Sequence, residues 1–163
     1  MSPRYDVPKA APHPLRQVQL FVNTVDLERG DDWLDAWLGE HAAGIEPERA
    51  RTLREALRSL LLANNGAAVD RGAVEVVDRE ASQLAVRIGT DAARVVGDGD
   101  ELGRLVAVVA GAMLDGSWQR LKACRNCRWA FYDYSRNRSA TWCSMQLCGN
   151  RTKTRAYRRR RAR

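Results

Sequence analysis

Four cysteines stand in the last quarter of a 163-residue chain, as Cys124-Arg-Asn-Cys127 and Cys143-Ser-Met-Gln-Leu-Cys148. Two residues separate the first pair, four separate the second, and fifteen lie between the pairs. Two short chelate loops joined by one excursion suit a single metal ion. Zinc takes four thiolates at ~2.3 Å in a tetrahedral shell, and such a shell leaves no position open for water. The expected cofactor is therefore one structural Zn2+ per chain, held by Cys124, Cys127, Cys143 and Cys148. Two disulfides are the competing chemistry, but they belong to oxidising compartments and cysteine-dense scaffolds. This chain is 18.3 kDa with all four cysteines in one corner. An iron–sulfur cluster also uses four thiolates, though at spacings unlike this one. A redox dithiol would employ Cys124 and Cys127 and leave the other pair idle.

Around the cysteines runs Cys124-Arg-Asn-Cys127-Arg-Trp-Ala-Phe-Tyr-Asp-Tyr, then Trp142-Cys143-Ser-Met-Gln-Leu-Cys148-Gly149-Asn150-Arg151. This stretch resembles the CGNR zinc finger, a family named for residues matching 148–151 here. In that family the finger follows a helical ABATE domain, and Phe21-Val-Asn-Thr-Val-Asp26 is similar to that domain's opening motif. The resemblance implies stress-linked transcription regulation through DNA binding, with a supporting role for Arg151.

Charge divides the chain at the same place. Residues 1–118 carry 13 basic and 19 acidic side chains, whereas residues 119–163 carry 14 basic and one acidic, Asp133. A strongly basic segment attracts phosphate, an acidic protein or an anionic surface. Beyond Asn150 the sequence reads as a helix bearing Arg151, Lys153, Arg155, Arg158, Arg159, Arg160 and Arg161, with no acid to offset them. Such a helix is suited to gripping phosphates. The polar loop 135–139 offers Arg136, Asn137 and Arg138, side chains able to bond guanine or adenine edges.

The remaining elements must position these groups. Residues 1–14 hold four of the five prolines and are expected to form an extended arm. They lack the apolar stretch of a targeting signal, which favours the cytoplasm, and no apolar run is long enough for a membrane span. Apolar residues at three- and four-residue steps predict helices over residues 15–27, from Asp31 or Asp32 past His41, over 46–64, over 69–84, and from Gly97-Asp-Gly-Asp100 towards Gly116. His41 is expected to bond a carbonyl in the last turn of its helix. Residues 84–88 and 93–96 flank a turn and predict a hairpin. In the module, strands over 118–123 and 128–134 should flank the first cysteine pair. Side chains then alternate, with Trp129 and Phe131 on one face and Tyr132 and Tyr134 on the other.

The expected fold is mainly α: a helical domain over 15–118 with a small β-hairpin, plus a zinc module of treble-clef or ribbon type over 119–163, made of a β-hairpin and a basic helix. No phosphate loop, metalloprotease motif or nucleophile elbow is present, so an enzyme is not expected. Asn23 sits at an apolar helix edge, where its amide either pins a neighbouring segment or, with Trp33 and Trp37, lines a pocket for a small-molecule effector. The reading is a DNA-binding regulator, duplex DNA being the expected partner and a homodimer an option for the helical domain. RNA binding, and docking of the basic helix on an acidic protein, are the alternatives.

Overall fold

The computed structural model describes residues 9–97, 99–152 and 154. Among the described residues, five helices supply most of the core: α1 (Leu15–Val22), α2 (Leu34–His41), α3 (Pro47–Ala63), α4 (Arg71–Ala81) and α5 (Glu101–Asp115). Three two-stranded antiparallel sheets complete it: β1 (Val25–Asp26) with β2 (Asp31–Asp32), β3 (Leu84–Ile88) with β4 (Ala93–Gly97), and β5 (Leu121–Ala123) with β6 (Ala130–Tyr132). Among the described residues no helix is long and apolar enough to cross a membrane.

Four of the five helices start where a carboxylate can take up free N–H groups. Glu46 accepts from Arg49 N at the head of α3, Asp70 from Gly72 and Ala73 at α4, and Asp100 from Gly103 at α5. Asp32 Oδ1 accepts from Leu34 N at α2, and at the other end His41 Nδ1 lies 3.1 Å from the Trp37 carbonyl. Helix α5 stops at Gly116, whose φ of 78° lies in the left-handed region. The hairpin β3–β4 sits hard against α5, because a Cβ on Gly97 would lie 2.3 Å from the Gly103 backbone. Only glycine permits that approach.

The first helix ends at Val22, five residues before the periodicity does. Asp26 explains the early stop: its carboxylate accepts from Glu28 N and Arg29 N, turning the chain so that Val25 and Asp26 pair with Asp32 and Asp31. Helix α4 is likewise shorter than its apolar pattern, since the Asp70 cap fixes its start at Arg71. The segment before the first cysteine pair opens as a 3-10 turn, Trp118–Arg120, and becomes strand only at Leu121.

Helix α3 is central. Leu53, Leu57 and Leu61 pack with Val18, Phe21 and Val22 of α1 and with Leu102, Leu105 and Val106 of α5. The same core continues into Leu121, Ala123, Ala130 and Tyr132 of the β5–β6 hairpin. A second cluster lies beyond that hairpin, where the four cysteines pack with Trp129 and Phe131. Strand β6 is thus a wall with two faces: Ala130 and Tyr132 face the helices, and Phe131 faces the sulfurs. Its outer edge is bordered by residue 9, whose carbonyl accepts from Tyr132 N at 2.9 Å.

Candidate metal centre and its basic surround

The four sulfur atoms all lie within 4.8 Å of one another, and all four cysteines are buried and free of disulfides. Cys127 Sγ is 3.5 Å from Cys143 Sγ, which is 3.7 Å from Cys148 Sγ. A tetrahedral ion with sulfurs at ~2.3 Å sets their mutual separation at ~3.8 Å. A disulfide needs ~2.05 Å, and a multi-iron cluster would spread its thiolates over several metal atoms. The site fits one ion.

Local backbone geometry explains how the sulfurs converge. Arg128 adopts a left-handed φ of 64°, and its N–H donates to Cys124 O while Cys124 N–H donates to Trp129 O. This closes the first pair into a tight turn. Ser144 accepts from Leu147 N at the head of the π-helical turn Met145–Gly149, which carries Cys148 inward.

The thiols also demand a counter-charge. Hydrogen bonds from the Cys127 and Cys143 thiols, joined by the backbone N–H groups of the same residues, hold Cys124 far below the ordinary thiol value. The neighbouring Cys124 pushes Cys127 up to about 12, and Cys143 is pushed up by Cys124 and Cys127 together. Four thiolates cannot share this space without a cation. Asn126 Nδ2 lies 3.5 Å from Cys148 Sγ, a further donor that spreads sulfur charge. The cysteine cluster is a structural zinc site, one per chain.

Long-range polar contacts weld this site to the helices. Asn23 Nδ2 donates to Ala130 O at 2.9 Å, and Ala130 N donates back to Asn23 Oδ1 at 2.7 Å. Gln19 Nε2 also reaches Ala130 O. Asn64 donates to the Trp118 and Leu121 carbonyls, and Asn65 to those of Ala123 and Thr141. Arg58, buried on α3, donates to Val22 O and Arg128 O, while its neighbour Arg54 grips both oxygens of Asp32. Asn23 is therefore a clamp and its amide is not offered to a ligand. Trp37 is an anchor too, its ring 4.8 Å from Phe21 and stacked on His41 at 5.2 Å. Trp33 is half-buried at the head of α2. Among the described residues, none of these three borders the main cavities.

Of the basic residues, several have structural work. Arg125 Nε donates to Asn65 O, Arg120 to the Asp133 and Ser135 carbonyls, and Arg138 to Gln119 Oε1. Arg151 pairs with Glu28 in the β1–β2 turn. Lys153, Arg155, Arg158, Arg159, Arg160 and Arg161 lie outside the described residues.

One pair has no signature in the sequence. Asp133 is fully buried against Lys122, with Nζ 2.7 Å from Oδ2. Lys122 Nζ also donates to Arg138 O and Ala140 O, and the Asp133 carboxylate accepts from Ser135 N, Ser135 Oγ and Ala140 N. Burial alone would raise the Asp133 pKa, but the Lys122 and Ser135 donors win and hold it at about 2. The result is a loop pinned from inside, with Arg138 in a left-handed turn (φ 52°) and the side chains of Arg136 and Asn137 exposed. The only acid of the last 45 residues is thereby removed from the surface.

Comparison with known proteins bears on the same two regions. Residues 16–116 match the ABATE family, described as "Putative stress-induced transcription regulator", and residues 120–161 match the CGNR zinc finger. No curated protein matches the chain. The two matches follow the order that the motifs implied, and together with the sulfur geometry they fit a zinc-binding regulator. The chain belongs to the ABATE family and carries a CGNR zinc finger as its C-terminal part.

Proposed function

We propose that the C-terminal part binds nucleic acid, duplex DNA first, and that the helical part regulates this binding. The observation that carries the reading is the burial of Asp133 against Lys122: within a segment of 14 basic residues, the one carboxylate is spent on ordering a loop that exposes Arg136 and Asn137. A surface cleared of acid attracts phosphates and releases their condensed ions. Arg136 and Asn137 are the candidate readers of base edges, because Arg pairs with guanine and Asn with adenine through two hydrogen bonds. Arg138, tied to Gln119, is the loop's anchor. The basic residues 151–161 supply affinity that is indifferent to sequence. Zinc is structural in this scheme, and no catalytic role is assigned.

The test is side-by-side anisotropy titration of zinc-loaded full-length protein against duplex DNA, structured RNA and an acidic protein over a range of salt. Replacing Arg158 to Arg161 with Ala should weaken binding to every duplex alike. It should also flatten the log–log salt dependence by about 0.9 for each phosphate that the variant no longer neutralises. Arg136→Ala with Asn137→Ala should instead narrow the gap between preferred and random DNA. Tighter binding to RNA or to the acidic protein, or an unchanged salt slope in the tail variant, would overturn the assignment.

A further inference from the structure

Three helices meet imperfectly where each carries an alanine. Ala63 of α3, Ala81 of α4 and Ala110 of α5 border a cavity of about 330 Å³, otherwise walled mainly by aliphatic side chains and by Trp118. We propose that this cavity binds a small amphipathic cation, an apolar body bearing one ammonium group. The volume lies at the lower end of the ~300–1,000 Å³ spanned by small-molecule sites. The apolar lining selects for a hydrocarbon or aromatic body, whose transfer from water drives binding. Charge selects the head group: among the described residues, Asp78 is the only ionisable one lining the cavity, and it makes no ion pair with any of them. The surrounding residues 1–118 carry an excess of acid as well. A carboxylate ligand would meet repulsion from both.

The position of the cavity gives its occupant a readout. Trp118 and Asn64 both line it, and Asn64 donates to the carbonyls of Trp118 and Leu121 at 2.9 Å each. Leu121 opens β5, which runs straight into Cys124, and the next residue of the α3 end, Asn65, holds Ala123 O. A ligand packed on Trp118 immobilises this junction and, through it, the first cysteine turn. The occupied protein therefore yields its zinc more slowly. This inference does not depend on nucleic-acid binding.

Three probes with one scaffold test it on the zinc-loaded full chain: 4-phenylbutylammonium, 4-phenylbutanol and 4-phenylbutyrate, followed by calorimetric titration and thermal shift. Saturable binding is expected in the order ammonium, alcohol, carboxylate, with about a threefold step from ammonium to alcohol, typical of a solvent-exposed charge pair. Asp78→Asn, a change at the exposed rim, should erase that step and leave alcohol binding intact. Ala110→Leu fills the cavity and should abolish binding of all three probes. Ala81→Leu does so from another helix, and each filled variant is judged only if it melts as the parent does. Saturating ammonium probe should slow zinc transfer to a chelator at least twofold. The proposal falls if no probe saturates at millimolar concentration, if the carboxylate binds best, if Asp78→Asn leaves the order unchanged, or if zinc transfer is unaffected. It also falls if Ala110→Leu turns a dimer into a monomer while no probe binds, since the groove would then seat a second copy.

Discussion

Replacing Asn23 with Ala isolates the weld between the helical core and the zinc hairpin. The substitution removes two hydrogen bonds to Ala130, a residue with no solvent exposure. Ala130 N–H then has no acceptor in its buried setting, and a stranded buried donor costs ~1–3 kcal/mol. Its carbonyl keeps the bond from Gln19 at 3.1 Å, so that side of the loss is the ordinary ~0.5–1.5 kcal/mol of one hydrogen bond. Together the variant should lose about 2–4 kcal/mol. Urea unfolding followed by helical circular dichroism measures that loss, and zinc transfer to a chelator reports the same event from the metal side. Both should shift together, because strand β6 has the helices on one face and the sulfurs on the other. A loss below about 0.5 kcal/mol, within the range of a surface substitution, would refute the clamp. So would destabilised helices with unaltered zinc transfer.

Other perturbations follow from the same geometry. Lys122→Met strands the Asp133 carboxylate, and removing one partner of a buried pair costs ~3–5 kcal/mol; thermal melting of the zinc-loaded protein checks it, and a near-neutral change would contradict the pairing. Arg58→Ala leaves the Val22 and Arg128 carbonyls without their donor and should cost about 2–4 kcal/mol in urea unfolding, counting unmet hydrogen bonds and the cavity left behind. Zinc binding near pH 7 should release protons, those of Cys127 and Cys143 among them, whose thiols stay protonated without metal. Calorimetry in buffers of different ionisation enthalpy counts them, and zero release would show preformed thiolates.

What the sequence discloses is whatever depends on neighbours in the chain. Cysteine spacing locates the metal, apolar periodicity locates the helices, and strand alternation puts Trp129 and Phe131 on one face, which the fold turns towards the sulfurs. Contacts between distant residues stay hidden. Arg54 and Arg58 fall on the same stripe as Ala50, Leu53, Leu57 and Leu61, yet a charged residue on an apolar face reads as an edge. Their burial rests on Asp32, Val22 and Arg128, 22 to 70 positions away. Asn23 poses the same problem, since only the fold shows which backbone its amide meets. Space is hidden in the same way: the cavity beside Trp118 arises where alanines from three helices meet, which no local spacing announces.

The most direct test of a zinc site built into the helical core is metal content measured together with unfolding. Freshly purified, reduced protein should contain one zinc per chain. Chelation, or Ser in place of any of the four cysteines, should lower the melting of the helices in the same transition as that of the β5–β6 hairpin, because the two share a core. Less than half an equivalent of metal in a fully folded protein, or helices that melt unchanged after chelation, would contradict the account.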